Sequence, residues 1–137
     1  MELLRAPARL AALLKANARE DSGTVDHASL WLANPANFAL VEDDDLSMFS
    51  AKGEWPGPLH AHVFFKSRGK QALEIARRML ERTFAYGATE IIAETTYRDA
   101  AMFARLLGFT QTSIEERPNG RYYCLVLKNL RRTDIAA

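Results

Sequence analysis

Leu59-His60-Ala61-His62-Val63-Phe64-Phe65-Lys66-Ser67-Arg68-Gly69-Lys70-Gln71-Ala72-Leu73 is the stretch whose reading decides the fold. Leu59–Lys66 is rich in aromatic and β-branched side chains and reads as a strand. Ser67-Arg68-Gly69-Lys70 is a tight connection. From Lys70 to Tyr86 the period changes to that of a helix. Ala72, Leu73, Ala76, Met79, Leu80, Thr83 and Phe84 share one face. Lys70, Glu74, Arg77, Arg78, Glu81 and Arg82 share the other, with Glu74–Arg78 and Arg77–Glu81 spaced as i,i+4 ion pairs. Gly87 stops the helix. The short apolar run Glu90–Thr95 is the next strand. A crossover of this kind is parallel and right-handed, so the strands on either side of the helix are expected to be neighbours.

Working toward the N-terminus, Leu59 is preceded by a loop marked by Gly53, Pro56, Gly57 and Pro58. Before it, Asn37–Glu42 and Leu46–Ser50 alternate as a hairpin, with Asp43-Asp44-Asp45 read as a solvated turn. Leu3, Leu10, Leu13, Leu14 and Asn17 fall near one helical face. With Pro7 suited to a first turn, they predict a helix over Pro7–Ala18, ended by Asp21-Ser22-Gly23. A short helix over Asp26–Ala33 follows, capped by Ser29 or Asp26 and broken at Asn34-Pro35. Toward the C-terminus, a helix over Asp99–Leu107 stops at Gly108. Strands over Thr110–Glu115 and Arg121–Lys128 turn on Pro118-Asn119-Gly120, and Leu130–Ala137 is a polar tail. The predicted class is α/β (α+β): a mixed, mostly antiparallel sheet with helices on both faces and one central parallel crossover. The 137 residues fit one domain, with a helical part (1–36), the sheet and two main helices (37–128) and a tail (129–137).

Hydrophobic residues make up 48% and charged residues 26%, the balance of a globular domain. A net charge of +1 argues against an overall basic nucleic-acid clamp, because phosphate contacts need a concentrated basic surface. Arg131-Arg132 reads as a solvated pair in the tail. The single cysteine, Cys124, excludes a disulfide framework and a zinc site built on cysteine pairs, and fits a reducing, cytoplasmic compartment. It reads as a buried, inert thiol. No apolar run approaches the length of a membrane span. Arg5, Arg9, Lys15 and Arg19 interrupt the leucines near the N-terminus, so that region reads as an amphipathic helix and not as a secretory signal. Its leucine face can pack on the sheet or on a second chain, which leaves a homo-oligomer open.

The first-turn N–H groups of the helix near Lys70–Leu73 have no intrahelical partners and carry the positive end of the helix dipole. Such an arrangement accepts phosphate or carboxylate, and Arg68 and Lys70 add charge there. It is equally the form of an ordinary strand-to-helix connection with a solvated basic pair. A P-loop is excluded, because its glycine spacing and Lys-Ser/Thr ending are absent.

With Phe64–Leu73 and the run Ala100-Ala101-Met102-Phe103-Ala104-Arg105-Leu106-Leu107-Gly108-Phe109 on the page, the sequence resembles the GCN5-related N-acetyltransferase (GNAT) superfamily over Asn37–Lys128. The resemblance implies that Phe64, Phe65, Lys66, Arg68, Gly69, Lys70, Gln71, Ala72 and Leu73 hold the pyrophosphate end of acetyl-CoA. It also implies that a backbone N–H of Val63–Lys66 polarises the thioester carbonyl. Gln71 and Leu73 stand where the family's motif has glycines, and Ala104 where many members have a proton-donating tyrosine. The implied function is transfer of an acetyl group from acetyl-CoA to a small-molecule or peptide amine. A similar helix start, Arg-Gly-Lys-x-Ala, occurs in divergent GNAT-like phage proteins. They imply the alternative of a non-catalytic, virion-associated role in the bacterial host cell, with phage structural proteins as partners.

His60 and His62, two apart on one strand, share a face. An imidazole titrates near neutrality and can deprotonate an ammonium. Each is also an ordinary half-buried strand residue. Glu94, on the next strand, is a second base or an amine anchor, or else a solvated strand-end residue. Tyr97, Tyr122 and Tyr123 are candidates for the lost proton donor. Trp31 and Trp55 either line an acceptor pocket or cover the core. A metal on His60, His62 and His27 lacks supporting carboxylates, so no metal is expected.

Overall fold

The computed structural model describes residues 1–17 and 24–129. Asp21-Ser22-Gly23, Ala18 and the 130–137 tail, including Arg131-Arg132, lie outside the described residues.

A seven-stranded sheet is built from β1 (Glu2–Leu4), β2 (Asn37–Glu42), β3 (Asp45–Ala51), β4 (Leu59–Phe64), β5 (Glu90–Thr95), β6 (Thr110–Arg117) and β7 (Gly120–Lys128). Its order is β1-β2-β3-β4-β5-β7-β6. Among the described residues four helices accompany it: α1 (Pro7–Asn17), α2 (Val25–Ala33), α3 (Gly69–Ala85) and α4 (Arg98–Leu106). β4 and β5 are parallel and every other neighbouring pair is antiparallel. This is the predicted mixed sheet with its single central crossover.

Strand alternation divides the core into two layers. Leu40, Phe49, Leu59, Ile91 and Leu125 point to one face and pack beneath Ala72, Ile75 and Met79 of α3 and Ala101 and Ala104 of α4. Ala39, Val41 and Leu46 point to the other face, where Leu10, Leu13 and Leu14 of α1 and Ala28 of α2 cover them. Those two helices sit over the β1–β4 half. The face carrying Glu94, Cys124 and Tyr122 on β5 and β7 therefore has no helix among the elements that form this second layer.

Two expectations are corrected. Leu3 belongs to β1, paired with Leu40, and not to the helical face. A three-residue strand has too little periodicity to show, and only its long-range partner makes it one. The cap of α2 is Thr24, in place of Ser29 or Asp26. Its hydroxyl accepts from His27 N–H while His27 Nδ1 accepts from Thr24 N–H, each at 3.4 Å, which occupies His27 as a capping residue. Arg78 reaches Glu42 on β2, tying α3 to the sheet where Met1's ammonium also approaches, at 3.8 Å.

Candidate active site

The parallel pairing of β4 with β5 extends over only two positions, Leu59↔Ile91 and His60↔Ile92. Beyond them the strands diverge, although β4 continues to Phe64 and β5 to Thr95. Val63 shows the consequence. It lies in mid-sheet, yet it is 45% exposed because its expected neighbour has moved away. The gap is a cleft of about 690 Å³. One wall is His62, Val63 and Phe64. The other runs from Ala93 and Glu94 to Tyr97, the residue that opens α4. Phe65 and Phe103 lie edge to face, with centroids 6.2 Å apart, and Ala104 joins them in the lining.

The cleft reaches the start of α3 through Ser67, Arg68, Gly69 and Ala72. The side chain of its N-cap residue, Arg68, makes no capping hydrogen bond, and its first turn holds no acidic residue. The first-turn N–H groups therefore face outward with the dipole unopposed. Gly69 has φ +63, and a Cβ built there meets no atom within 4 Å. It leaves open space above the helix start, in a conformation that disfavours a side chain. Gln71 is exposed and Leu73 half-buried, and neither side chain lines the cleft. The small residues facing it are Gly69 and Ala72, one helical turn apart. Replacing Gly69 with alanine is expected to lower stability by about 1 kcal/mol, read as a lower urea midpoint with an unchanged slope.

The loop entering α3 is held from a distance. Asp45 is 2% exposed, and its Oδ1 accepts from Lys66 N–H at 2.7 Å and Ser67 N–H at 2.9 Å. These bonds take the chain off the sheet, which is why β4 ends at Phe64 and not at Lys66. Asp45 is the residue that sequence reasoning missed. The solvated turn expected over Asp43-Asp44-Asp45 holds for the exposed Asp43, with φ +54, and Asp44, and not for Asp45. The one available signal was its place at the first alternating position before Leu46. Arg68 folds back on the loop, donating to Phe65 O and, at 2.9 Å, to Ser67 O. Beside it a groove of about 620 Å³ is lined by Arg9, Asn17, Asp44, Lys66 and Arg68. Lys66 lies there, 3.7 Å from Asp44, and Asn17 and Arg68 also line the cleft. Lys70 is exposed and outside both linings.

His62 and Glu94 line the cleft from opposite strands, whereas His60 does not. His60 Nε2 is buried without a hydrogen-bond partner, 3.6 Å from Glu94 Oε1. Partial burial holds the His60 pKa below 6.5, Lys52 and Arg117 reinforce this, and Glu94 opposes it. Solvent reaches His62, but the protein around it removes part of its hydration, so its pKa also lies below 6.5. The neighbouring His60 adds to that and Glu94 opposes it. Both rings therefore favour the neutral, proton-accepting form at neutral pH.

Glu94 is not a free carboxylate. The Arg117 guanidinium bonds Glu94 and Glu115 together, stands 4.4 Å above the Tyr122 ring, and lies 3.9 Å from Cys124 Sγ. The hydrogen bond from Arg117 is the main reason the Glu115 carboxyl is lowered, and partial burial raises the Cys124 thiol. Cys124 is thus half-exposed among polar groups, a correction to the buried apolar thiol expected. Glu94, Glu115 and Cys124 are the grouping of metal-ligand atoms among the described residues, within 4.8 Å of one another, and a guanidinium already bonds both carboxylates. Tyr97 and Tyr122 line the cleft, and Tyr123 packs against the core on the opposite face. Trp31 is part of the packing around α1 and α2, and Trp55 is exposed.

No family model and no curated protein sequence matches this chain. Solved structures do. An aminoglycoside acetyltransferase, AAC(6')-Ib, in complex with coenzyme A superposes with a TM-score of 0.68 at 14% identity, over 99% of this chain and 98% of that one. A spermidine N-acetyltransferase chimera from Vibrio cholerae and hSSAT gives 0.73 at 11% identity, over 98% and 99%. A probable GNAT-family acetyltransferase from Chromobacterium violaceum gives 0.70 at 18% identity, over 93% and 81%. The fold is GNAT-like. At these identities the likeness concerns the path of the chain alone. No described helix is long and apolar enough to cross a membrane.

Proposed function

We propose that this GNAT-like domain transfers an acetyl group from acetyl-CoA to an amine. The observation that carries the reading is the open splay between β4 and β5, which ends on the uncapped start of α3. The residues fit the cofactor. The N–H groups of the first turn after Arg68 would receive its pyrophosphate, and Gly69 leaves space for the close approach. The Arg68 guanidinium adds positive potential at the cleft, and Lys66 and Arg9 line the adjoining groove, where they face Asp44 and Glu2. The divergent part of β4, between His62 and Phe65, faces the cleft where the carbonyl would be polarised by main-chain N–H groups. Acetyl-CoA supplies an activated acyl carbonyl and a thiolate leaving group when bound.

His62 is assigned as the base that takes a proton from the acceptor ammonium, because it is the imidazole open to the cleft. Glu94, anchored by Arg117, is assigned as a positioning residue for His60 and for the positive charge that forms beside it. The acceptor approaches from the sheet face carrying His62 and Glu94, opposite α3 and α4. The coenzyme A held by the aminoglycoside enzyme and the amine substrates in the names of two neighbours support acyl transfer to nitrogen. A bulky side chain filling the splay would favour the non-catalytic, virion-associated alternative; the open cleft gives it no such support.

Calorimetry and thermal shift with acetyl-CoA test the reading. Ligand at a hundredfold excess over its Kd is expected to add about 3 kcal/mol of stability, and Gly69→Ala to weaken binding beyond its own effect on the fold. Absence of any heat or shift at millimolar acetyl-CoA would end the acyltransferase proposal.

A further inference from the structure

At the open sheet face, three strands converge on one cation. Glu94 of β5 and Glu115 of β6 hydrogen-bond the same Arg117 nitrogen, and the Tyr122 ring of β7 lies beneath the guanidinium carbon at 4.4 Å. Two carboxylates and an aromatic face are the elements of a cage for an ammonium or guanidinium group. The cage borders the cleft, because Glu94 and Tyr122 line both. Arg117 comes from the end of β6, next to the Pro118–Gly120 turn, and its side chain is 36% exposed.

We propose that Arg117 is a tethered occupant of a cation subsite beside the reacting amine, so that it restricts the acceptor to amines carrying a single positive charge. The inference rests on the acyl-transfer reading for the word acceptor, and on the cage alone for the binding it predicts. The two carboxylates and the one guanidinium leave a single negative charge, which one ammonium balances; a second cation on the substrate finds no further unpaired carboxylate in the cage and meets the guanidinium. The Glu94 oxygen nearer His60 remains within reach of the one amine that reacts. Arg117 thereby acts as a specificity-determining residue: it excludes the polycationic amines that the empty cage would attract.

The test compares butylamine with 1,4-diaminobutane in NMR titrations without any thioester. The wild-type protein is expected to bind the two amines within about twofold. Arg117→Met keeps the length of the stem over Tyr122 and opens the cage. It is expected to raise the preference for 1,4-diaminobutane over butylamine about tenfold relative to wild type. Arg117→Lys is expected to behave as wild type, and Arg117→Met with Glu115→Gln to lose the gain. A folded Arg117→Met protein with no gain for the diamine overturns the inference, and so does a wild-type preference for the diamine of tenfold or more, which needs no variant. Failure of acetyl-CoA binding removes the acyltransferase reading and leaves the cage result standing. Intact acetyl-CoA binding with no diamine gain removes only the cage.

Discussion

Replacing His62 with glutamine is expected to lower kcat/KM for acetyl transfer by about 10²- to 10⁴-fold, the range for losing a positioned general base. Glutamine keeps most of the volume and a hydrogen-bonding tip, so the strand and the cleft wall remain. The pH profile distinguishes a base from a packing residue. His62 is held below 6.5, chiefly by partial burial, and it must be neutral to accept the proton. Wild-type kcat/KM is therefore expected to fall as pH drops through a midpoint below 6.5. His62→Gln is expected to lose that acid limb along with the rate. His60→Gln tests the other imidazole. His60 faces Glu94 and does not line the cleft, so its loss is expected to change rate less and to leave the limb in place. A His62→Gln protein with near wild-type kcat/KM and an intact acid limb would remove His62 as the base.

Asp45→Ala is expected to destabilise the fold by about 3–5 kcal/mol, because it strips two partly buried N–H groups of a charged acceptor and leaves them unpaired. The same substitution releases the loop that delivers Gly69 to the cleft, so acetyl-CoA binding is expected to weaken as well. Asp45→Asn retains an acceptor oxygen and is expected to cost about 1–2 kcal/mol. Urea unfolding measures the first effect and calorimetry with acetyl-CoA the second. Asn variants that unfold at the wild-type midpoint would show that the charge is irrelevant to the clamp. Asp45 does not touch the place assigned to the cofactor. Its contribution is made through Lys66 and Ser67, twenty-one and twenty-two residues along the chain.

The elements that were legible in advance are those whose signal is local. α3 declares itself through a 3.6-residue period with small and apolar side chains on one face, and Ala72, Ala76, Met79, Leu80 and Thr83 of that face are buried as expected. Ile75, missing from the predicted face, is buried because the contact with the sheet is wider than one narrow stripe. The β6–β7 hairpin lies where Pro118-Asn119-Gly120 predict it, but Arg117 pairs with Gly120, so Pro118-Asn119 is the connecting pair, and of Asn119 and Gly120 only Gly120 has a positive φ. The hairpin of β2 and β3 also stands, with Phe38 and Leu40 facing one layer and Val41 the other. Among the candidate residues, His62, Glu94, Arg68, Gly69 and Ala72 reach one cleft. Gln71 and Leu73, which looked like obstacles when aligned on a glycine motif, turn away from it. One-dimensional spacing could not show that Gly69 and Ala72 are the small residues of this turn that line the cleft.

By itself, the chain determines the order of strands and helices, the parallel crossover, and which side chains can share a face. Each depends on neighbours within a few residues and on the handedness of the backbone. Only the tertiary structure decides that β4 and β5 part company after two paired positions, that Asp45 grips the loop before α3, and that Arg117 closes on Glu94 and Glu115. These outcomes depend on strand register, and a shift of one residue would carry Glu94 to the buried face and Ala93 to the open one. Register is a property of strands packed together, which is why the chemistry of the site became visible only once the sheet was assembled.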